Sequence, residues 1–392
     1  MRRPAIVEHH LLLPLGVIIA VVWANLGPVT YFSTAHALSF WVNDVGMAFV
    51  LAFLGQEVFE AALPGGTIHP WRRTIVPVIA AVGGMAGAVA FYAGYLRTSD
   101  EHMLAQGWPV ACAVDVLLVL AVTRAIFHRS AATTFALLLA IAGDLIGLAI
   151  ISGRYQTVHT YPIAGVLIVP AIAICVALRR GGVRALWPYV CFAGPLSWAA
   201  CYSIGVHPAV ALLPVVPFLP HAARDLDSDN RSNADARIAV HESPAHLEYA
   251  FRYPVEAIGF LFGLVNAGVL VRGFGAGTWA VLAASLVGRP AGIVAAVALA
   301  IAAGLPLPRQ FGWRELIVVA LAASPALTFG VFFATTVFPP GPLASEVTIG
   351  SLATVLGVVP AFVVARLLRV GRFGDATERA PRQEGQLSRG RA

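Results

Sequence analysis

The residues best placed to do chemistry in this chain are two carboxylates and one arginine set inside long apolar runs. Asp144 is the only charged residue in the stretch 135–152, FALLLAIAGDLIGLAIIS. About 20 apolar residues let a helix cross a bilayer. An ionisable group at that depth costs at least a few kcal/mol and by default marks an ion path or a proton relay. The plainer alternative is an Asp that pairs with an intramembrane Arg or caps a broken helix. Asp115 lies inside the apolar segment 106–124, QGWPVACAVDVLLVLAVTR, which opens with Gly107 and with Pro109, a residue expected to break the helix. If this helix is interrupted, its loose N–H end carries about half a positive charge, and Asp115 offsets it. Electrostatic support is therefore its first expected role and direct ion binding its second. Arg289 sits in AVLAASLVGRPAGIVAAVALA. A guanidinium does not deprotonate in proteins. It must be paired or face helix carbonyl ends, and Asp144 and Asp115 are the obvious partners. A structural role is expected for it rather than proton carriage.

The remaining candidates are weaker. Glu57, in AFLGQEVFEAAL, falls late in an apolar segment and either lines an access funnel or snorkels to the interface. His207, in IGVHPAVALL, opens a segment and titrates near neutrality when unperturbed. Glu248 and Glu256 bracket the start of a later segment. The GFGAG run at 273–277 follows no strand and is not a dinucleotide fingerprint. There is no HExxH, no P-loop and no nucleophile elbow, so neither an enzyme nor a cofactor is expected. Cys112, Cys175, Cys191 and Cys201 are scattered in apolar segments without paired spacing. They read as small core residues with no structural metal.

The elements that must position these groups follow from composition. The 392 residues are 58% hydrophobic and 12% charged, with a mean hydropathy of +0.79. Soluble domains carry about 25% charged residues. The reading is an all-α polytopic membrane protein, because a β-barrel would show alternating polarity. About twelve apolar segments lie near 11–30, 44–63, 74–96, 107–124, 131–152, 161–178, 184–203, 205–220, 254–272, 277–304, 313–338 and 345–369. The first apolar run continues to about Thr30, too far for a cleaved leader. The segment 316–336, LIVVALAASPALTFGVFFATT, has Ser324 and Pro325 at its middle and Thr328 just after. Proline removes a donor and disfavours helix at the residue before it. Interrupted segments in corresponding positions of two halves point to a transporter's binding site; a plain proline kink is the alternative.

The net charge of +6 comes with 26 basic residues, all Arg, which mostly flank the apolar runs and do not indicate nucleic acid. With twelve spans, Arg2, Arg72, Arg124, Arg179, the loop 221–252, Arg309 and Arg366 fall on one side, and only Arg97, Arg154 and Arg272 near the other. The first side is then cytoplasmic, with both termini inside. The division is a transmembrane domain over 1–369 with its polar cytoplasmic loop at 221–252, and a disordered cytoplasmic tail over 370–392.

Taken in order, AFLGQEVFEAAL, GWPVACAVDVLLVLAV, FALLLAIAGDLIGLAIIS, SIGVHPAVALL, HLEYAFRYPVEAIGFLFGLVNAGV and LVGRPAGI make the chain resemble the NhaA-type Na⁺/H⁺ antiporter family over nearly its whole length. The resemblance implies twelve helices in an inverted repeat, with discontinuous fourth and eleventh spans crossing. It implies exchange of cytoplasmic Na⁺ or Li⁺ for external protons, for pH and sodium homeostasis. The setting is the lipid bilayer of the bacterial inner membrane, and the assembly a homodimer. It places Na⁺ at Asp144 and assigns Glu57, His207 and Glu248 to a pH-sensing funnel. The chain departs from the pattern at several positions. Gly143 stands where the family has the first Asp of a pair, Val114 where it has Thr, Arg289 where it has Lys, and Ser324-Pro325-Ala326 where it has a glycine motif. With one carboxylate left and an Arg that releases no proton, the expected exchange is one proton per Na⁺, electroneutral. Two alternatives stay open: a sodium-coupled carrier on the same fold, and a non-exchanging paralogue with a structural or sensing role.

Overall fold

A computed structural model describes residues 12–62, 75–99, 101–128, 130–154, 162–183, 185–219, 256–270, 273–307 and 311–374. These residues are helical or irregular, with no strand among them. Helix α1 (Leu12–Leu26) turns at Gly27 into α2, which runs through Pro28–Ser39, a wide turn at Phe40–Gly46 and Met47–Ala62. The segment expected to begin near residue 44 is thus the second part of a longer helix. Next come α3 (Ile75–Ser99), a tight turn His102–Gly107 leading into α4 (Trp108–Cys112), α5 (Val116–Phe127) and α6 (Ala131–Arg154). Then follow α7 (Ile168–Arg180), α8 (Gly194–Ser203), α9 (Glu256–Asn266) and α10 (Ala276–Ala302). The last are α11 (Trp313–Ala322), α12 (Leu327–Val337) and α13, made of Pro342–Ala353, a tight turn Thr354–Gly357 and Val358–Leu367.

Five of the described helices are long and apolar enough to cross a bilayer, or up to seven if each bent pair is one span. α1 and α9 are apolar but shorter. The segment 205–220 differs most from expectation. It forms short tight turns at Pro208–Val210 and Val216–Phe218 instead of a continuous helix. Its four prolines, Pro208, Pro214, Pro217 and Pro220, each remove a backbone donor and crowd the preceding carbonyls. Apolar character alone therefore does not hold it in one helix.

Two broken pairs sit at the centre. α4 and α5 meet at a bend of 50°, and α11 and α12 at 48°. In the second pair Pro325 cannot continue the helix, and Ser324 before it is pushed out of the helical region. The first break has a different cause. Pro109 was expected as a breaking residue, but it lies in the first turn of α4, where its missing N–H costs nothing. The chain extends at Ala113 (ψ 141°) and at Asp115 (ψ 100°), whose side chain then caps α5.

The breaks lie where two apolar cores meet. One core gathers Tyr92, Leu104, Ala111, Ala326, Phe329, Phe332 and Phe333. The other gathers Val114, Val119, Phe135, Ile293, Val318 and Ala323. The closest backbone approach joins α3 to α10. A Cβ added at Gly87 would come within 2.2 Å of the Gly288 carbonyl oxygen, and one at Gly292 within 2.1 Å of that of Gly83. Small residues permit this approach in membrane helices. The wide turn Ala284–Gly288 precedes Arg289. Pro290 accounts for it, since it cannot donate to the carbonyl of Leu286 and its ring crowds that oxygen.

Candidate functional site

The two breaks touch through the backbone, with the Asp115 N–H donating to the carbonyl of Pro325 at 3.0 Å. Around this contact lie four loose helix ends: the C-termini of α4 and α11 and the N-termini of α5 and α12. Orphaned N–H and carbonyl groups there need partners when no water reaches them.

Asp115, 2% exposed, serves both N-termini. One carboxylate oxygen accepts from the Leu118 N–H at 3.1 Å. The other accepts from the Thr328 N–H at 3.0 Å and the Thr328 hydroxyl at 2.7 Å. Arg289, 1% exposed, serves both C-termini. One of its terminal nitrogens donates to the carbonyls of Ala323 and Ser324 at 3.0 and 3.1 Å. The other donates to the carbonyl of Ala111. A negative charge thus faces two positive helix ends and a positive charge two negative ones, each the favourable sign for the helix dipole.

These contacts resolve the sequence alternatives for Arg289. Its hydrogen bonds go to carbonyl ends, and it forms no hydrogen bond to Asp144 or Asp115. Asp115 takes up the supporting arrangement, with Thr328 as its direct partner.

Asp144 differs from both. It is 5% exposed, and neither carboxylate oxygen has a hydrogen-bond partner. Buried polar groups are almost always satisfied, so an unpaired buried carboxylate is an open valence. Its neighbour Gly143 faces Val114, whose Cγ2 would lie 3.4 Å from an added Cβ. One turn on, Gly147 packs against the ring of Phe333 at 3.1 Å on the same measure. Asp144 therefore stands on unbroken α6 against both broken pairs. Its oxygens are free to take a proton or a small cation. Among the described residues no group of three or more His, Cys, Asp or Glu converges as a metal-holding set.

Of the three expected funnel residues, His207 alone has a described side chain. His207 packs edge-on to Phe332, ring centroids 5.1 Å apart, and its Nδ1 accepts from the Ala209 N–H. Gly55, two residues before Glu57, faces Leu213 and Val216 instead. The side chain of Glu57 and all of Glu248 lie outside the described residues.

Sequence reasoning missed a second polar assembly. The Tyr31 hydroxyl bonds the carbonyls of Leu264 and Val265 and accepts from the Gly268 N–H. It closes the end of α9, and the Asn25 amide bonds the carbonyl of Val269 beside it. Asn43 and Asn266 exchange two amide hydrogen bonds, at 2.9 and 2.7 Å. The apolar segment ending in Asn266 was the available signal, since an amide inside such a run needs a partner.

Fold and site together define a multi-pass helical membrane protein built around two broken helices with compensated ends. The sequence profile of the family described as Na⁺/H⁺ antiporter 1 matches residues 11–368, and the chain belongs to that family. A relative named Na(+)/H(+) antiporter NhaA from Geobacter metallireducens is 36% identical over 390 residues, covering 95% of this chain and 100% of the relative. Another of that name, from Desulfitobacterium hafniense, is 34% identical over 383 residues, covering 94% and 96%. Among solved structures, the sodium proton antiporter MjNhaP1 from Methanocaldococcus jannaschii matches with a TM-score of 0.61. It shares 14% identity and covers 93% of this chain and 92% of its own, a likeness of fold.

Proposed function

We propose that this protein is a secondary transporter, not an enzyme, exchanging cytoplasmic Na⁺ or Li⁺ for external protons and so serving pH and sodium homeostasis. The observation that carries the reading is Asp144, a buried carboxylate left open beside two helix breaks whose own charges are already compensated. The names of the relatives, at 34–36% identity over nearly the whole chain, point the same way.

The cycle is competition at one carboxylate. Protonated Asp144 does not hold Na⁺; ionised Asp144 does. The protein changes facing only when one of the two is bound, by rocking of one part of the bundle against another. Asp115 and Arg289 hold the broken ends throughout, and Thr328 orients Asp115. Arg289 releases no proton, and Gly143 offers no second carboxylate, so one Na⁺ exchanges for one proton without net charge movement.

The reading includes twelve spans in an inverted repeat, the transmembrane domain over 1–369 with its loop at 221–252, and a cytoplasmic tail over 370–392. It places both termini in the cytoplasm, the chain in the bacterial inner membrane among its lipids, and two copies in a dimer. Glu57, His207 and Glu248 govern access and pH response.

The test is purified protein in proteoliposomes with an imposed pH gradient. Recovery of a quenched pH dye is followed as Na⁺, Li⁺ or K⁺ is added, with and without a membrane potential, for wild type and Asp144→Asn. Recovery that ignores potential and is absent in Asp144→Asn supports electroneutral exchange at one carboxylate. Dependence on potential defeats the one-to-one stoichiometry. No response to any cation from folded protein returns the non-exchanging reading.

A further inference from the structure

The position of Arg289 depends on a residue in another helix. Its guanidinium reaches the carbonyls of Ala111, Ala323 and Ser324 only after its aliphatic stem has passed between α10 and α3. On α3 the stem runs over Gly84. A Cβ built there would lie 3.3 Å from Arg289 Cγ and 2.8 Å from Ile293 Cγ1. Gly83 and Gly87, on either side, serve a different contact. Their added Cβ atoms would strike the close-packed face of α10, Gly83 against the Ala296 Cβ at 2.1 Å and the Gly292 carbonyl oxygen at 2.7 Å, and Gly87 against the Gly288 carbonyl oxygen at 2.2 Å. Gly83 and Gly87 therefore set the distance between the helices, while Gly84 leaves the lane in which the Arg289 stem lies. Ile293, fully buried one turn along, closes the lane on its far side, so the stem has little room to step away.

The wide turn at Ala284–Gly288 fixes the direction from which Arg289 enters. The Arg289 Nε is buried without a partner, so only the terminal nitrogens anchor the head group. A shift of a few tenths of an ångström at Cγ is then carried to the three carbonyl contacts, with no further bond at Nε to hold the planar group in place.

We propose that Gly84 is a positioning residue for the exchange reaction, one that sets the seat of the Arg289 guanidinium on the carbonyl ends of α4 and α11. This rests on the exchange reading above. It separates Gly84 from the neighbouring glycines, whose role is helix spacing.

The test uses full-length protein with Cys112 as its only thiol, Cys175, Cys191 and Cys201 being replaced by Ala. Cys112 is 1% exposed and directly follows Ala111, whose carbonyl Arg289 holds. Its alkylation by a membrane-permeant maleimide reports the first break without reference to transport. In Gly84→Ala, alkylation speeds up by about tenfold, and the Na⁺ KM for exchange rises by about tenfold, less than the roughly hundredfold effect of a full ångström of misplacement. Adding Arg289→Ala, which removes the Cγ that lies over Gly84, makes Gly84→Ala silent, so both quantities equal those of Arg289→Ala alone. Adding Ile293→Ala, which relieves only the packing conflict, restores neither. Rescue by Ile293→Ala, or unchanged alkylation and KM in Gly84→Ala, overturns the proposal. If Gly84→Ala yields no folded protein, recovery of folded protein is scored instead. A folded yield in Gly84→Ala with Arg289→Ala equal to that of Arg289→Ala alone upholds the proposal; recovery by Ile293→Ala alone, or by neither, overturns it. If wild type exchanges nothing, the exchange reading fails while the alkylation result still decides the placement of Arg289.

Discussion

Asp115 and Asp144 should respond in opposite ways to the same substitution. Asp115 accepts three hydrogen bonds, from the Leu118 N–H, the Thr328 N–H and the Thr328 hydroxyl. In Asp115→Asn one oxygen becomes an NH₂ group, which must face a donor on one side or the other. An unsatisfied buried donor costs about 1–3 kcal/mol, and hydrogen bonds to a charged group contribute about 1.5–3 kcal/mol where neutral ones give about half. The dipole interaction at two helix ends overlaps with these and is not added again. The loss comes to about 3–5 kcal/mol, a fall in Tm of roughly 4–6 °C for a chain of this length. Asp144 has no hydrogen bond to lose. In Asp144→Asn an open buried carboxylate becomes a neutral amide, whose burial costs less than that of a charge. Stability is kept or rises, as happens when a residue held for function is removed. The assay is thermal unfolding in detergent, followed by tryptophan fluorescence, with and without saturating Na⁺. A ligand at 100 times its Kd stabilises by about 2.7 kcal/mol. Na⁺ should therefore raise the Tm of wild type and of Asp115→Asn, and leave Asp144→Asn unmoved. An Asp115→Asn Tm within about 1 °C of wild type, or an Asp144→Asn Tm that falls as far as that of Asp115→Asn, refutes this division of roles.

Other outcomes follow from the same geometry. Gly143→Asp should fold, because its Cβ meets only Val114 at 3.4 Å; with a second carboxylate beside Asp144, exchange should become sensitive to membrane potential in proteoliposomes. Arg289→Lys should retain folded protein, since an ammonium brings three donors to three carbonyls. Arg289→Met leaves those carbonyls unmet and should lower Tm by more than Asp115→Asn does. Tyr31→Phe removes the hydroxyl from two carbonyls and the Gly268 N–H. It should cost about 1–3 kcal/mol and speed hydrogen exchange at residues 264–268 while leaving cation selectivity unchanged.

What the sequence made legible was whatever violated apolar context. Asp144, Asp115 and Arg289 stood out because each is a charge where charge is costly, and Ser324-Pro325 because proline forbids helix. The partners were harder to read. For Arg289 the sequence offered a carboxylate or helix carbonyl ends and could name only the carboxylates Asp144 and Asp115; its partners are backbone carbonyls exposed by breaks in other segments. The first break was assigned to Pro109, yet it comes from Asp115 capping α5, a tertiary choice that propensity does not encode. The span expected over 205–220 failed because hydropathy does not weigh four prolines against a helix. Gly84 left no trace, since nothing in a sequence distinguishes a glycine that admits a side chain from its neighbours that admit a backbone.

The contact between α3 and α10 also has a consequence for how the chain is made. Gly83 and Gly292 touch across 209 positions of sequence. At about 5–20 residues per second, the ribosome completes the second helix roughly 10–40 s after the first has entered the bilayer. Through that interval the glycine face of α3 has only lipid or an assisting protein against it, and the broken α4–α5 pair has no Arg289 to hold its carbonyl ends. The centre of the protein is therefore assembled late, when nearly three quarters of the chain is already in the membrane, and a ribosome stalled before residue 289 would leave the carbonyl end of α4 without Arg289 and Asp115 without Thr328.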